Sequence, residues 1–271
     1  MRALRIGVTI VFIVTTALFV LFYLGEKTTE DNTVPVITVE SNLIEVSLDA
    51  TKEELMQGVS AYDEKDKDIT HKIVIESVSK FLDDGLCKVT YSVCDSNNNV
   101  ANATRKIKYK DYVSPRFSMN AATCYSIYEK INISDVVKAY DCIDGDITRN
   151  IIITSEDYTK SVAGVFSIEI SVTNTKGDTS VVKVPMIVED RPLSAPQIEL
   201  KEYLVYTDIG KSIDFSEMLV GATDKRGNDL KSQVRIEDAI DFNKEGTYSI
   251  HYYVSDSDGV QGHTVLTVVV G

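Results

Sequence analysis

The sequence predicts an all-β protein in which three tandem β-sandwiches follow a membrane-spanning helix at the N-terminus. Three observations carry this prediction: an uncharged apolar run of 19 residues, a repeat of about 80 residues, and an alternating strand within each repeat. Together they divide the chain into a cytoplasmic N-terminus (1–5), a transmembrane helix (6–24), a linker (25–32) and three domains (33–110, 111–190 and 191–271).

The apolar run at 6–24 is long enough to cross a bilayer, because 19 residues of α-helix rise about 28 Å. Arg2 and Arg5 precede the run and mainly acidic residues follow it. The positive-inside rule then places the N-terminus in the cytoplasm and the remainder outside. A cleaved signal peptide is the alternative, but it needs a shorter apolar region and small residues before the cut. Because this run ends in the bulky segment LFYL, we predict an uncleaved, single-pass type II anchor in the cell membrane.

Three sequence markers recur with one common period. Entry prolines lie at Pro35, Pro115 and Pro196, which are 80 and 81 residues apart. An aspartate motif follows each proline, and a glycine that opens a strand follows each motif. The motif reads GVSAYD at 58–63, VKAYD at 137–141 and GATD at 221–224. Agreement between independent markers predicts three copies of one domain.

The strand that opens at Gly85, Gly164 and Gly246 alternates apolar and polar residues in every copy; the third reads GTYSIHYYVSD. Such alternation is typical of a strand with one buried face. Turn residues and a return strand follow each copy, and short strands with frequent turns are typical of a β-sandwich. Pro185 lies in the second return strand, which predicts an edge or a bulge there.

The connectors between the predicted domains are short. They comprise 110–114 and 189–195, and the second contains Pro192. Short joints with proline act as semi-rigid spacers rather than as free coils. We therefore expect the three domains to follow one another end to end, as a rod.

The loop AYDCIDGDIT at 139–148 and the strand and turn GTYSIHYYVSDSDG at 246–259 resemble the bacterial immunoglobulin-like (Ig-like) domain of the pesticidal-crystal-protein type. The resemblance covers about 33–271 and implies three tandem Ig-like β-sandwiches. Domains of this family occur in tandem on bacterial surface proteins and as accessory modules of secreted enzymes. They carry no catalytic residues that could be transferred to this chain. The third copy departs from the pattern in its loop, which reads KRGNDL at 225–230.

Composition excludes several classes of function. The net charge is −13 and the pI about 4.7, which argues against nucleic acid as a partner because phosphate binding needs clustered Lys and Arg. With 3 His and 4 Cys, a His-rich metal site or a dense disulfide scaffold is excluded. His71, His251 and His263 stand in no ligand spacing, so we expect them at surfaces or strand edges. No nucleophile elbow or other ordered catalytic motif is present.

These observations predict a non-catalytic cell-surface protein that displays its domains for interaction or spacing, without a resident cofactor. Its partner is expected to be an extracellular protein or polysaccharide. Two alternatives stay open: an adhesin stiffened by calcium, and an accessory or binding subunit of an extracellular enzyme. Exposed tyrosines could form a platform for a protein or sugar ligand; the candidates are Tyr125, Tyr128, Tyr203, Tyr206 and Tyr253.

Calcium is the metal that the aspartate loops suggest. Asp141, Asp144 and Asp146 belong to one loop, and Asp111 lies in the connector that precedes this domain. If these carboxylates meet at one pole, they offer the oxygen ligands that calcium prefers. The alternative is that Asp and Gly simply make the turn, with the carboxylates accepting hydrogen bonds from backbone N–H groups.

The four cysteines give a separate set of expectations. Alternation places Cys87 on the buried face of its strand and Cys94 on the exposed face, so a bond between them is geometrically poor. Cys124 and Cys142 belong to the same domain and could pair, since an extracellular location permits disulfides.

Overall fold

The computed structural model describes residues 2–29, 33–83, 85–129, 132–155 and 162–271. The chain forms two compact units, Met1–Asp111 and Tyr112–Gly271. Helix α1 (Arg2–Thr29) extends past the predicted end at residue 24, and residues 30–32 of the predicted linker lie outside the described residues. Its segment Ile6–Tyr23 has a mean hydropathy of 2.5 and no buried side chain, so it is long and apolar enough to cross a membrane. A signal sequence would satisfy the same criterion.

The first sandwich has seven strands among the described residues. They are β1 (Val36–Val39), β2 (Leu43–Val46), β3 (Val59–Asp63), β4 (Lys67–Asp68), β5 (Val74–Val78), β6 (Leu86–Cys94) and β7 (Val100–Tyr109). One sheet has the order β1-β3-β4 and the other β2-β7-β6-β5, with β2 parallel to β7. Helix α2 (Lys52–Met56) joins β2 to β3 and begins at a capping box made by Thr51 and Glu54.

The core of the first sandwich contains a buried arginine. Strand β6 places its predicted apolar face inside, as expected, but β7 also directs Arg105 inward, where it is 3% exposed. Its Nε donates to the hydroxyl of Tyr91 at 2.7 Å and its Nη1 to the carbonyl oxygen of Gln57 at 2.7 Å. Its Nη2 donates to the carbonyl oxygen of Leu55, which also accepts from Tyr91. Arg105 therefore satisfies carbonyl groups at the C-terminal end of α2.

The second sandwich repeats this arrangement within the described part of residues 112–190. Its strands are β8 (Arg116–Met119), β9 (Cys124–Ser126), β10 (Val137–Asp141), β11 (Gly145–Asp146), β12 (Ile152–Ser155), β13 (Gly164–Thr173) and β14 (Thr179–Glu189). The sheets have the orders β11-β10-β8 and β12-β13-β14-β9. The short helix α3 (Ile133–Val136) precedes β10. Strand β9 pairs with β14 only at 187–189, so Pro185 lies where β14 has a single paired neighbour, as the edge prediction requires.

The third sandwich has six strands, all in a fully described part of the chain. They are β15 (Gln197–Leu200), β16 (Leu204–Thr207), β17 (Leu219–Thr223), β18 (Arg235–Glu237), β19 (Gly246–Ser255) and β20 (Gln261–Val270). One sheet pairs β15 with β17, and the other has the order β16-β20-β19-β18. A bridge between Thr223 and Asp229 stands where the first two sandwiches have a two-residue strand. The prediction of an all-β fold with Ig-like sandwiches after an apolar N-terminal helix is confirmed.

The second and third sandwiches, which belong to the same compact unit, are packed against each other. The outer face of β20 carries Val265 and Thr267, both 0% exposed. Val265 forms an apolar cluster with Cys124 and Ile187 of the second sandwich, and Val269 packs against the core of that sandwich. The expected end-to-end arrangement is therefore wrong for this pair. The physical reason is that β20 is apolar on both faces, and apolar surface is removed from water.

This packing buries the hydroxyl of Thr267 on the outer face of β20. The Oγ1 of Thr267 is buried and has no hydrogen-bond partner among the described residues. Valine has the same shape without the polar atom, so Thr267→Val should raise the free energy of unfolding of this unit by about 1 kcal/mol. The measurement is the melting temperature of the full chain in detergent. A fall in melting temperature would show that the hydroxyl has a water partner that valine cannot replace.

Candidate functional sites

Each sandwich carries a buried aspartate at the end of its third strand or directly after it, and this aspartate shapes the loop that follows. The Oδ1 of Asp141 accepts the backbone N–H groups of Ile143 and Asp144, both at 2.9 Å. Asp63 and Asp224 accept backbone N–H groups of their own loops in the same way. These hydrogen bonds are those expected if the aspartates make the turn, which is the alternative to calcium binding.

A second loop meets the aspartate loop in each sandwich. In the first, the carboxylate of Asp66 accepts the N–H and the hydroxyl of Ser96, both at 2.7 Å. In the second, the residues Asp144 and Thr175 make the equivalent pair. In the third, the ion pair between Arg226 and Asp258 takes this place. The two loops therefore share one pole of each sandwich, as the Ig order predicts.

Asp111, the connector residue predicted to bind calcium, is held within the first unit. Its Oδ1 accepts the backbone N–H of Leu48 at 2.9 Å, and its Oδ2 accepts the hydroxyl of Ser47 at 2.5 Å. The hydrogen bond from Ser47 is the main reason that the pKa of Asp111 is below its ordinary value. Both carboxylate oxygens thus have partners in the first sandwich.

The other three predicted ligands lie in one loop of the second sandwich. Asp141 and Asp144 are brought together there, because the N–H of Asp144 donates to Asp141. Asp146 caps the short turn after β11 by accepting the N–H of Thr148 at 2.9 Å. Calcium binding by Asp111, Asp141, Asp144 and Asp146 stays a prediction.

The two interpretations of these loops differ in what calcium should do. Because the carboxylates already accept hydrogen bonds that form the loops, we expect millimolar calcium to leave the melting temperature unchanged. The measurement is thermal unfolding of the full chain with calcium and with a chelator. A rise in melting temperature that the variant Asp144→Asn abolishes would instead establish the calcium site.

The same hydrogen bonds make the fold sensitive to acid. The side-chain bond from Ser96 lowers the pKa of Asp66, and that from Thr148 lowers the pKa of Asp146, both below the ordinary 3.8. Each carboxylate therefore stabilises the fold above that pH and loses this contribution as the pH falls through its folded pKa. We expect the melting temperature to drop between about pH 4 and pH 2, with a shallower drop in Asp66→Asn and Asp146→Asn. Equal slopes in all three proteins would contradict this assignment.

A different cluster lies where the second and third sandwiches meet. The Nδ1 of His263 is 3.2 Å from the Sγ of Cys124 and 2.6 Å from the Oε1 of Glu189. Cys124 and His263 are each 6% exposed, whereas the side chain of Glu189 is 30% exposed. Among the described residues, these three are the only group of His, Cys and carboxylate side chains whose donor atoms could hold one metal ion.

Strand pairing positions the three side chains. Cys124 begins β9 and Glu189 ends β14, and these two strands run parallel as neighbours in the second sandwich. His263 lies near the start of β20, on the face that packs against them. The preceding residue, Gly262, lets β20 approach the segment before β15 of its own sandwich, because a Cβ at that position would stand 2.2 Å from the carbonyl oxygen of Pro196. A residue with a side chain cannot make this approach.

Three further side chains support the cluster. The Nε2 of His263 is 3.0 Å from the Nδ1 of His251, and the ring of Tyr253 stacks on His263 with centroids 4.3 Å apart. Arg191 donates to the carbonyl oxygen of His263 at 2.7 Å and lies 3.4 Å from the Oε2 of Glu189. The cluster is therefore held from both sandwiches and from the connector between them.

Electrostatics in this cluster favour an anionic carboxylate beside a neutral thiol. Burial raises the pKa of Glu189, but hydrogen bonds from His263 and Cys124 and the charge of Arg191 lower it, and the net pKa is below its ordinary value. Burial, reinforced by the charge of Glu189, raises the pKa of Cys124 to about 12. A thiol with so high a pKa is a poor nucleophile.

The sequence reasoning missed this site. His251 and His263 were expected at surfaces or strand edges, but they are adjacent, and His263 is buried because β20 packs on both faces. The available signal was the run VLTVVV at 265–270. It lacks the polar alternation of the other return strands, which indicates burial on both faces.

The four cysteines are all free, and one of the candidate platform tyrosines is buried. Cys87 is buried and Cys94 exposed, as predicted, and the pairing left open for Cys124 and Cys142 is not formed, since both are free. The thiol of Cys142 instead donates to a backbone carbonyl group. A tyrosine platform that includes Tyr125 is wrong, because that side chain is 2% exposed.

The family comparison matches the third sandwich. Residues 206–270 match the family described as bacterial surface protein, Ig-like domain. An uncharacterized 81.3 kDa protein of Acholeplasma phage L2 is 30% identical over 136 residues, and the pesticidal crystal protein Cry22Aa of Bacillus thuringiensis is 28% identical over 134 residues. Each match covers 49% of this chain but 18% of the relative, so this chain corresponds to a minor part of either protein.

Among solved structures, Drosophila N-cadherin EC1-4 is similar over 90% of this chain and 76% of its own, with 14% identity and a TM-score of 0.25. A score this low carries no argument about the arrangement of the domains. The resemblance predicted from the residues is nonetheless confirmed by the family match and by Cry22Aa: the third sandwich matches the Ig-like domain of bacterial surface proteins.

Proposed function

We propose that this protein is a non-catalytic, membrane-anchored bacterial surface protein that displays Ig-like sandwiches outside the cell for interaction or spacing. The observation that carries the proposal is the combination of an exposed apolar helix at 6–23 with a sandwich that matches a surface-protein family. The topology is type II: residues 1–5 lie in the cytoplasm, and the sandwiches lie outside.

The charge distribution supports an outer location for the sandwiches. The first 25 residues contain two arginines and no acidic residue, so the entire acidic surplus belongs to the part after the helix. A strongly acidic surface keeps the displayed part soluble and repels anionic polymers unless cations bridge them. The partner is an extracellular protein or a polysaccharide rather than a nucleic acid.

The topology can be tested with the two exposed cysteines. Cys94 and Cys142 are exposed in the first and second sandwiches, so a membrane-impermeant maleimide added to intact cells should label both. Ala3→Cys, placed in a background with Cys94→Ser and Cys142→Ser, should be labelled only after the cells are lysed. Labelling of Ala3→Cys in intact cells would overturn type II topology. Loss of residues 1–25 from the mature protein, seen in its intact mass, would overturn the uncleaved anchor.

A binding experiment separates interaction from spacing. The full chain in detergent is immobilised and exposed to purified cell-wall polysaccharide and to labelled surface proteins of neighbouring cells. Saturable binding that an unrelated acidic protein does not show supports a binding role. Absence of such binding favours a spacer. Binding that requires calcium and fails in Asp144→Asn would favour the calcium-stiffened adhesin.

A further inference from the structure

We propose that Cys124, Glu189 and His263 bind a zinc ion that ties the second sandwich to the third. The three donor atoms all lie within 4.8 Å of one another. Cys124 and Glu189 belong to the second sandwich and His263 to the third, so one ion would be held by both.

The donor set selects zinc over calcium. A thiolate, an imidazole nitrogen and a carboxylate oxygen are the three ligand types that zinc accepts in proteins, and three such ligands leave the fourth tetrahedral position to water. Calcium takes oxygen ligands only and usually six or more of them. The thiol proton of Cys124 leaves to solvent when the metal binds, because the thiolate is the ligand.

The neighbouring histidine orients the ligand nitrogen. The Nε2 of His263 lies 3.0 Å from the Nδ1 of His251, so in the tautomer that carries its proton on Nε2 this N–H donates to His251 and the Nδ1 lone pair is directed at Cys124 and Glu189. Metal-binding histidines in proteins are oriented in this way by a partner on the other ring nitrogen. In this tautomer a bare lone pair would face the carboxylate at 2.6 Å and repel it, so a cation bound between them would be stabilising.

A proton on Nδ1 competes with the metal, because the other neutral tautomer donates from Nδ1 to Glu189 and accepts at Nε2 from His251. In a tetrahedral zinc site, N and S donors are about 3.6 Å apart and N and O donors about 3.3 Å. The observed separations are 3.2 Å for Nδ1 to Sγ and 2.6 Å for Nδ1 to Oε1. Each must therefore widen by less than an ångström. Glu189 has the freedom to do this, since its side chain is partly exposed.

Arg191 controls which oxygen of Glu189 is available. Its Nη1 lies 3.4 Å from Oε2, and this contact leaves Oε1 turned toward His263. The guanidinium also donates to the backbone oxygens of His263 and Cys124. The connector thus supports the backbone of two ligands, and a bound ion would add bonds between the sandwiches to the polar contacts that already join them.

The test measures metal binding to the full chain in detergent after the metal has been removed with a chelator. A background with Cys94→Ser and Cys142→Ser removes the exposed thiols as competing ligands. Zinc is titrated against a chromogenic chelator, and cobalt(II) serves as a spectroscopic probe. We expect one zinc per chain, a thiolate-to-cobalt absorption band, and a higher melting temperature with zinc.

Matched variants localise the ion. Cys124→Ser should abolish the cobalt band, and Glu189→Gln should weaken zinc binding at least tenfold. His251→Gln, which keeps all three ligands, should weaken it about 10- to 100-fold. Circular dichroism without metal shows whether each variant is folded, and the partly exposed Glu189 provides the variant least prone to misfold. Absence of stoichiometric zinc in the background protein, or equal zinc affinity in background and Glu189→Gln, would overturn the proposal.

Discussion

Replacing Gly262 with alanine should displace β20 within the third sandwich, and with it the face that packs against the second sandwich. An alanine Cβ would lie 2.2 Å from the carbonyl oxygen of Pro196 and 2.9 Å from its carbonyl carbon. Both obstacles are backbone atoms that no side-chain rotation can move aside, so β20 or the segment before β15 must shift. Overpacking of this kind costs about 1–3 kcal/mol and sometimes more. Because His263 is the next residue, the shift also displaces its ring from Cys124 and Glu189.

The reactivity of Cys124 reports this change directly. Its thiol is buried in the wild-type protein, and in Gly262→Ala we expect its reaction with a small maleimide to accelerate by roughly 5- to 150-fold, the equivalent of 1–3 kcal/mol. Gly221→Ala is the matched control, since the added Cβ meets no atom within 4 Å in the same sandwich. Equal thiol reactivity in the two variants would contradict the role given to Gly262.

Replacing Arg105 with leucine should destabilise the first sandwich by about 2–4 kcal/mol. The substitution leaves the carbonyl group of Gln57 without its donor and removes a donor from both Leu55 and Tyr91. Buried acceptors that lose their partners retain the full penalty of desolvation. Hydrogen exchange of β6 and β7 amides should therefore become roughly 30- to 700-fold faster, while the amides of the third sandwich serve as the internal reference.

The second sandwich suggests the control for this prediction. Val184 pairs with Ile168 where Arg105 pairs with Val89, and Ile170 occupies the place of Tyr91. The double variant Tyr91→Ile with Arg105→Val should thus lose less stability than the sum of its single variants, because the core polar pair is removed together. Unchanged exchange in Arg105→Leu would mean that water already satisfies the carbonyl groups near α2.

Local periodicity predicted the strands well, because each sandwich buries one face of its sheets. The apolar face of β6 is buried as the alternation requires, and Asp63, Asp141 and Asp224 make the predicted turns. The capped turn at Thr51 and Glu54 was also readable, since a capping box depends on residues three apart. These features depend on residues that are close in sequence or on a two-residue period, so the sequence alone predicts them.

Long-range contacts were not readable in the same way. Arg105 occupies an inward position of β7, but a charged residue is not expected in a core. Its carbonyl partners lie 48 and 50 residues earlier in the chain. The cluster of Cys124, Glu189 and His263 joins residues up to 139 positions apart. No spacing rule connects such residues, because their proximity depends on how two sandwiches pack.

The amino-acid sequence by itself therefore determined the apolar N-terminal helix, the repeated sandwich and the acidic surface, which follow from composition and local period. Tertiary structure alone decided that the third sandwich packs against the second and that a thiol, a carboxylate and an imidazole meet there. The physical reason is that burial of the outer face of β20 is a property of two surfaces together, and the approach at Gly262 is set by the backbone of another segment.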